Sequence, residues 1–102
     1  MFTKSEKNKI ENYHGLRCKY CSSLANDPHH IWFQSEKIVP KELINSPFNV
    51  IPLCRTDHNA IHSYTLRGKE LNIKAKIWSM NNYNWDKSVK EKMKLKLTRL
   101  KL

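Results

Sequence analysis

The chain has 102 residues, 39 % of them apolar, and a net charge of +10. That length holds one small domain, and so lean a core calls for a staple such as a metal. The charge favours a polyanionic partner, either nucleic acid or an anionic membrane surface.

Residues 1–16 read as a basic N-terminal segment with a short helix closed by Gly15. Met1–Glu11 is mostly Lys, Glu, Asn and Ser, without the apolar stretch of a signal peptide. No apolar run approaches the roughly 18–20 residues of a membrane span. The expectation is a soluble, intracellular (cytoplasmic) protein. The three cysteines agree, being odd in number with two of them in Cys18-x-x-Cys21. In a reducing compartment that spacing suggests metal binding rather than disulfides.

Residues 17–67 contain every Cys and every His except His14. The Cys18–Cys21 knuckle comes first. His29–Phe33 is β-prone, with aromatic and β-branched residues. Gln34–Pro47 reads as a connecting loop with a helical turn at Lys41–Ile44. Val50–Leu53 is a second short strand, which Pro52 restricts to an edge or a strand end. A helix capped by Thr56 or Asp57 is expected to run to about Leu66, with Gly68 as its stop.

Residues 68–102 read as a basic helical extension. Leu71, Ala75 and Trp78 recur at i, i+4, i+7. Val89, Met93, Leu97 and Leu100 recur at i, i+4, i+8, i+11 after Asp86, a candidate N-cap. Met93–Leu97 alternates like a strand, but the helix propensity of Lys, Met and Leu favours a helix. Residues 86–102 hold seven basic side chains against two acidic ones, which concentrates half the net charge there. Such a run is either a solvated helix face or a phosphate-binding one, with Lys87, Lys90, Lys94 and Arg99 as candidate contacts. Trp78, Tyr83 and Trp85 either stack on bases or pack the tail helices on the rest of the domain.

Several side chains are candidates for chemistry. His58 and His62 are four apart, so on a helix both imidazoles leave one face and can grip one metal. Asn59 stands where a metalloprotease helix has Glu, which argues against a zinc peptidase. His29 and His30 on a strand point to opposite sides, one toward a metal and one toward a substrate. Asn49, at a loop-to-strand junction, is by itself an ordinary turn residue.

Taken in order, Asp27-Pro28-His29-His30-Ile31, a loop, Asn49-Val50-Ile51-Pro52-Leu53-Cys54, then His58 and His62 resemble the HNH, or ββα-metal, nuclease motif. The resemblance spans residues 17–64 and most resembles free-standing nucleases of phages or mobile elements. It implies an α+β fold: a ββα-metal core with a zinc-knuckle staple and added helices, all in one domain. It implies a metal-dependent DNA endonuclease. His29, His58 and His62 would hold one divalent ion (Mg, Mn, Ni or Zn), as in the all-histidine sites of the colicin-type members. His30 would be the general base, a role that suits a neutral imidazole with an ordinary pKa of about 6.5. Asn49 would fix the loop and so orient His30. A single such site nicks one strand per event. A monomer should therefore nick, and a double-strand break needs a homodimer or two encounters.

The resemblance also implies a structural zinc at Cys18, Cys21 and Cys54. Family members complete it with a fourth Cys where this chain has Asp57. Asp57 as fourth ligand, Asp57 as a helix N-cap and His14 as fourth ligand are all open from the sequence. One Cys18-Cys21-His58-His62 site is disfavoured, because its inner gap far exceeds the roughly 12–15 residues of a zinc finger. Two further functions use the same residues: a non-catalytic zinc-stapled DNA-binding module, and a nuclease directed at RNA.

Overall fold

The computed structural model describes residues 2–25 and 27–101; Met1, Asn26 and Leu102, which fall within the segments read above, lie outside the described residues. Helix α1 (Lys4–His14) begins on a reciprocal cap. The Thr3 hydroxyl accepts from the Glu6 N–H, and the Glu6 carboxylate accepts from the Thr3 N–H at 2.8 Å. Gly15 ends the helix as expected, at φ 80°, a conformation open to glycine.

Strand β1 (Asp27–His30) pairs antiparallel with β2 (Val50–Leu53), with His29 opposite Ile51 and Pro28 opposite Pro52. The first strand lies earlier than its β-prone run suggested. Ile31 and Trp32 bend out of the sheet and are fully buried, so burial overrides their strand propensity. Between the strands come two single 3₁₀ turns, Gln34–Glu36 and Lys41–Leu43, the second where the sequence indicates a helical turn.

Helix α2 (Arg55–Ile61) is capped by Cys54, not by Thr56 or Asp57. The Cys54 Sγ accepts the Asp57 N–H at 3.4 Å, which leaves the Asp57 carboxylate free for other partners. The helix ends at His62, short of Leu66. Gly68 does not stop it. Helix α3 (Leu66–Asn81) has already begun there, on a Thr65 cap. Gly68 serves close approach: a Cβ at this position would lie 2.0 Å from the Ala60 carbonyl oxygen of α2. The boundary drawn between residues 67 and 68 therefore falls inside a helix.

Helix α4 (Lys87–Lys101) starts after Asp86, whose carbonyl accepts the Lys90 N–H. Val89, Met93 and Leu97 are buried while Leu95 is exposed, so the alternating run is helical. Trp85 is buried and donates to the Ser79 carbonyl at 2.8 Å. Tyr83 packs between Phe48 and Trp85. These aromatics join the tail to the domain.

The result is an α+β fold of four helices and a two-stranded antiparallel sheet among the described residues. Helix α2 packs on both strands and on α3, and α4 packs on α3. Ile31, Trp32, Ile51, Leu53, Leu71 and Met93 belong to one core between these elements. No helix among the described residues is long and apolar enough to cross a membrane.

Candidate functional site

Strand β1 and helix α2 bring three histidines together. One ring nitrogen each of His29, His58 and His62 lies within 4.8 Å of the others. The His58 and His62 Nε2 atoms are 3.2 Å apart. That matches the ~3.3 Å edge of a tetrahedron with 2.0–2.1 Å metal–nitrogen bonds. His29 is 3 % exposed, and its Nε2 is buried without a hydrogen-bond partner. A buried nitrogen of this kind is costly unless something fills it, and a metal ion does so. The donor set fits a divalent cation.

The protonation of the cluster favours ligation too. Burial, then the neighbouring His62 and His58, push the His29 pKa down to about 3. Burial and His58 lower that of His62. The Asp27 carboxylate lies 3.2 Å from His58 Nδ1. The Arg55 hydrogen bond holds Asp27 below the usual carboxylate range, so it accepts and His58 Nδ1 donates. His58 therefore presents a lone pair on Nε2, the arrangement that orients metal-binding histidines. In the sequence Asp27 stands only as the first residue of the Asp27–Ile31 tract, with no role of its own. The period of two along β1, which puts it on the same side as His29, is the signal that finds it.

His30 leaves the other side of β1. Its Nε2 lies 2.8 Å from the Asn45 Oδ1, and its ring stacks on Phe2. Asn49 is fully buried and ties the loop to the chain after His30. Its Oδ1 accepts the Trp32 N–H at 2.8 Å, and its Nδ2 donates to the Trp32 and Ile44 carbonyls at 3.0 and 2.8 Å. These bonds clamp the chain that follows His30. The side chain that touches His30 is Asn45, which the sequence did not single out.

Cys18, Cys21, Cys54 and Asp57 form a second cluster, again with ligand atoms within 4.8 Å of one another. The Cys21 and Cys54 sulfurs are 3.5 Å apart, and Cys18 Sγ is 3.3 Å from Asp57 Oδ2. Sulfur ligands at the usual zinc distance of 2.3 Å would be ~3.8 Å apart. Asp57 is 2 % exposed and points into the cluster. Burial works against its charge, but hydrogen bonds from Arg67 and Cys18 outweigh it and lower its pKa. The Asp57 N–H lowers the Cys54 thiol, while burial pushes Cys18 up to about 11. Zinc accepts this set of three sulfurs and one oxygen. His14 lies elsewhere, its Nε2 2.7 Å from the Pro47 carbonyl.

A groove of about 710 Å³ opens beside the histidine triad, lined in part by His29, Phe33, His62, Lys69, Lys76 and Lys96. A cavity of about 410 Å³ lies on the His30 side. Phe33 lines both, stacked parallel to the His62 ring. Lys76, unremarked in the sequence, is 3 % exposed. It donates to the Ile31 carbonyl and sits 4.5 Å over the Trp32 ring. Burial pushes its pKa down to about 8. Lys87, Lys94 and Arg99 are exposed and Lys90 is half-buried, but none of the four lines the groove. Lys87, Lys90 and Lys94 share one flank of α4, at i, i+3, i+7. Arg99 shares another with Lys92 and Lys96, and Lys96 reaches the groove.

Comparison with family models, with curated proteins and with solved structures finds no match for the chain.

Proposed function

We propose that the chain is a metal-dependent DNA endonuclease of the HNH kind, with β1, β2 and α2 as its ββα-metal core. The observation that carries this reading is the triad. Three imidazoles each bring a ring nitrogen together where the sheet meets the helix, His29 Nε2 is buried without a partner, and His30 is the next residue on the same strand. His29, His58 and His62 hold the ion, and Asp27 orients His58. When bound, a divalent metal supplies a Lewis acid for the phosphoryl oxygen and the leaving 3′ oxygen. His30 accepts a proton from water as the water oxygen bonds to phosphorus. The P–O3′ bond breaks, and the 3′ oxygen takes a proton from solvent. The products are 5′-phosphate and 3′-hydroxyl ends.

The remaining parts serve this step. Cys18, Cys21, Cys54 and Asp57 hold a structural zinc that ties the knuckle to α2. Lys69 and Lys96 place cations along the groove, Lys96 paired with Glu36 at 3.4 Å, and α4 adds sequence-independent attraction for phosphates. The test is supercoiled plasmid, with single-stranded RNA in parallel, incubated with EDTA, Mg²⁺, Mn²⁺, Ni²⁺ or Zn²⁺. Wild type is compared with His62→Ala and His30→Ala. Metal-dependent nicking lost in both variants is the expected result. DNA binding with no nicking in any metal defeats the enzyme reading and leaves a zinc-stapled DNA-binding module. That module is the role the cysteine cluster alone would support.

A further inference from the structure

The helix before the knuckle reaches the site, and it does so through His30. We propose that Asn45 and Glu6 are positioning residues that fix which ring nitrogen of His30 serves as the base. This rests on the reading of His30 as general base.

Three hydrogen bonds run in series. The Thr3 N–H donates to Glu6 Oε1 at 2.8 Å, Asn45 Nδ2 donates to Glu6 Oε2 at 3.1 Å, and Asn45 Oδ1 lies 2.8 Å from His30 Nε2. Their directions follow from chemistry. The Thr3 backbone bond and the Asn45 bond hold Glu6 below the usual carboxylate range, so Glu6 only accepts. Asn45 must therefore turn its NH₂ toward Glu6, which leaves its oxygen facing His30. That oxygen also only accepts, so His30 Nε2 carries the hydrogen and Nδ1 keeps its lone pair. No hydrogen-bond partner for Nδ1 is found among the described residues.

The ring is also held against rotation. Phe2 stacks on it with centroids 5.0 Å apart and planes inclined by 16°. Both Phe2 and Glu6 come from the segment that the sequence presents only as a basic arm. Asn45 lies fifteen residues from His30 and thirty-nine from Glu6 along the chain, so no local pattern reveals the series. The Thr3–Glu6 cap thus has a second use: the carboxylate that starts α1 also orients the amide that orients the base.

The test uses the zinc-loaded, ¹⁵N-labelled chain and two variants, Asn45→Ala and Glu6→Gln, with His30→Ala as control. In wild type, ring ¹⁵N–¹H spectra should show one His30 tautomer, with a slowly exchanging Nε2–H. Asn45→Ala should lose that proton signal. Its kcat for plasmid nicking should fall on the order of 10-fold to 100-fold, with KM unchanged, as expected for a misoriented group. Glu6→Gln keeps one acceptor where two are needed, so the Asn45 amide can flip. This variant should show a mixture of His30 tautomers and a kcat loss of a few-fold, and it decides the matter if Asn45→Ala does not fold. An inactive His30→Ala beside a fully active Asn45→Ala overturns the positioning role and leaves the base intact. So does a wild-type spectrum without the Nε2–H. A fully active His30→Ala overturns the base and the positioning role together.

Discussion

Substituting alanine for Gly68 sets two effects of opposite sign against each other. Inside a helix the change ordinarily gains about 1 kcal/mol, because alanine loses less backbone entropy. At this position the added methyl would meet the Ala60 carbonyl oxygen at 2.0 Å, the Ser63 hydroxyl at 2.9 Å and the Ser63 carbonyl at 3.0 Å. The hydroxyl can rotate away, although it donates to the Ala60 carbonyl and contacts Thr65. The two carbonyls are backbone and cannot. Relief requires α3 to withdraw from the end of α2 by about 1 Å, and overpacking of that kind costs about 1–3 kcal/mol or somewhat more. The net expectation is a loss of about 1–2 kcal/mol, or a Tm lower by roughly 4–16 °C for a domain of this size. Ala60 and Ser63 flank His62, so the displacement also reaches the triad. Affinity for a divalent ion should fall by about tenfold or more. Thermal melts with zinc held fixed, and a metal titration followed by calorimetry, measure both. A Gly68→Ala protein that melts at or above the wild-type temperature would refute the close approach of the two helices.

Other substitutions test other parts of the same structure. Asn49→Ala removes three buried hydrogen bonds, and about 3 kcal/mol should disappear in urea unfolding; a loss below about 1 kcal/mol would mean that the loop is held by something else. Burial pushes the Cys18 thiol up to about 11, so it is protonated at neutral pH and must lose that proton to bind zinc. Zinc affinity should therefore rise with pH, and calorimetry in buffers of different ionisation enthalpy should find at least about one proton released per ion. Release of none would remove Cys18 from the ligand set. The two flanks of α4 should differ: neutralising Lys92, Lys96 and Arg99 should weaken DNA binding and flatten its salt dependence more than neutralising Lys87, Lys90 and Lys94, by about one unit of slope for each phosphate left without its cation. An equal or reversed effect counts against the groove as the DNA path.

Much of the arrangement was legible where a local period or spacing encodes it. His58 and His62 converge because they are one helical turn apart. Gly15 ends α1 because glycine takes positive φ there. Val89, Met93 and Leu97 are buried at the spacing that predicts it. What escaped depends on packing between distant segments. Gly68 resembles a helix stop until α2 and α3 are seen to cross at it. Asp57 resembles a cap until Cys54 takes that role, and only then is its carboxylate free to face Cys18. Asn45 sits in a loop with no periodicity, and its two partners come from other parts of the chain. Lys76 reads as one lysine among many, and only the Ile31 carbonyl and Trp32 ring give it a place.

The paired prolines have a consequence for how this protein meets its neighbours in a crowded solution. The Ile31 N–H donates to the Asn49 carbonyl at 2.7 Å, just beyond the His30–Val50 pair. Counting back by two makes His29–Ile51 and Asp27–Leu53 the bonded pairs, with Pro28–Pro52 between them. At such a position the backbone faces away from the partner strand, so neither proline removes a rung from the ladder. Each instead deletes an outward-facing donor. The outward Pro52 carbonyl is already taken by the Lys19 N–H at 3.0 Å. A ribbon of two strands is all edge and is open to templating by any extended chain, including another copy of itself. Here both rims are blunted at their midpoints, which guards against runaway intermolecular sheet growth without weakening the ribbon that carries His29 and His30.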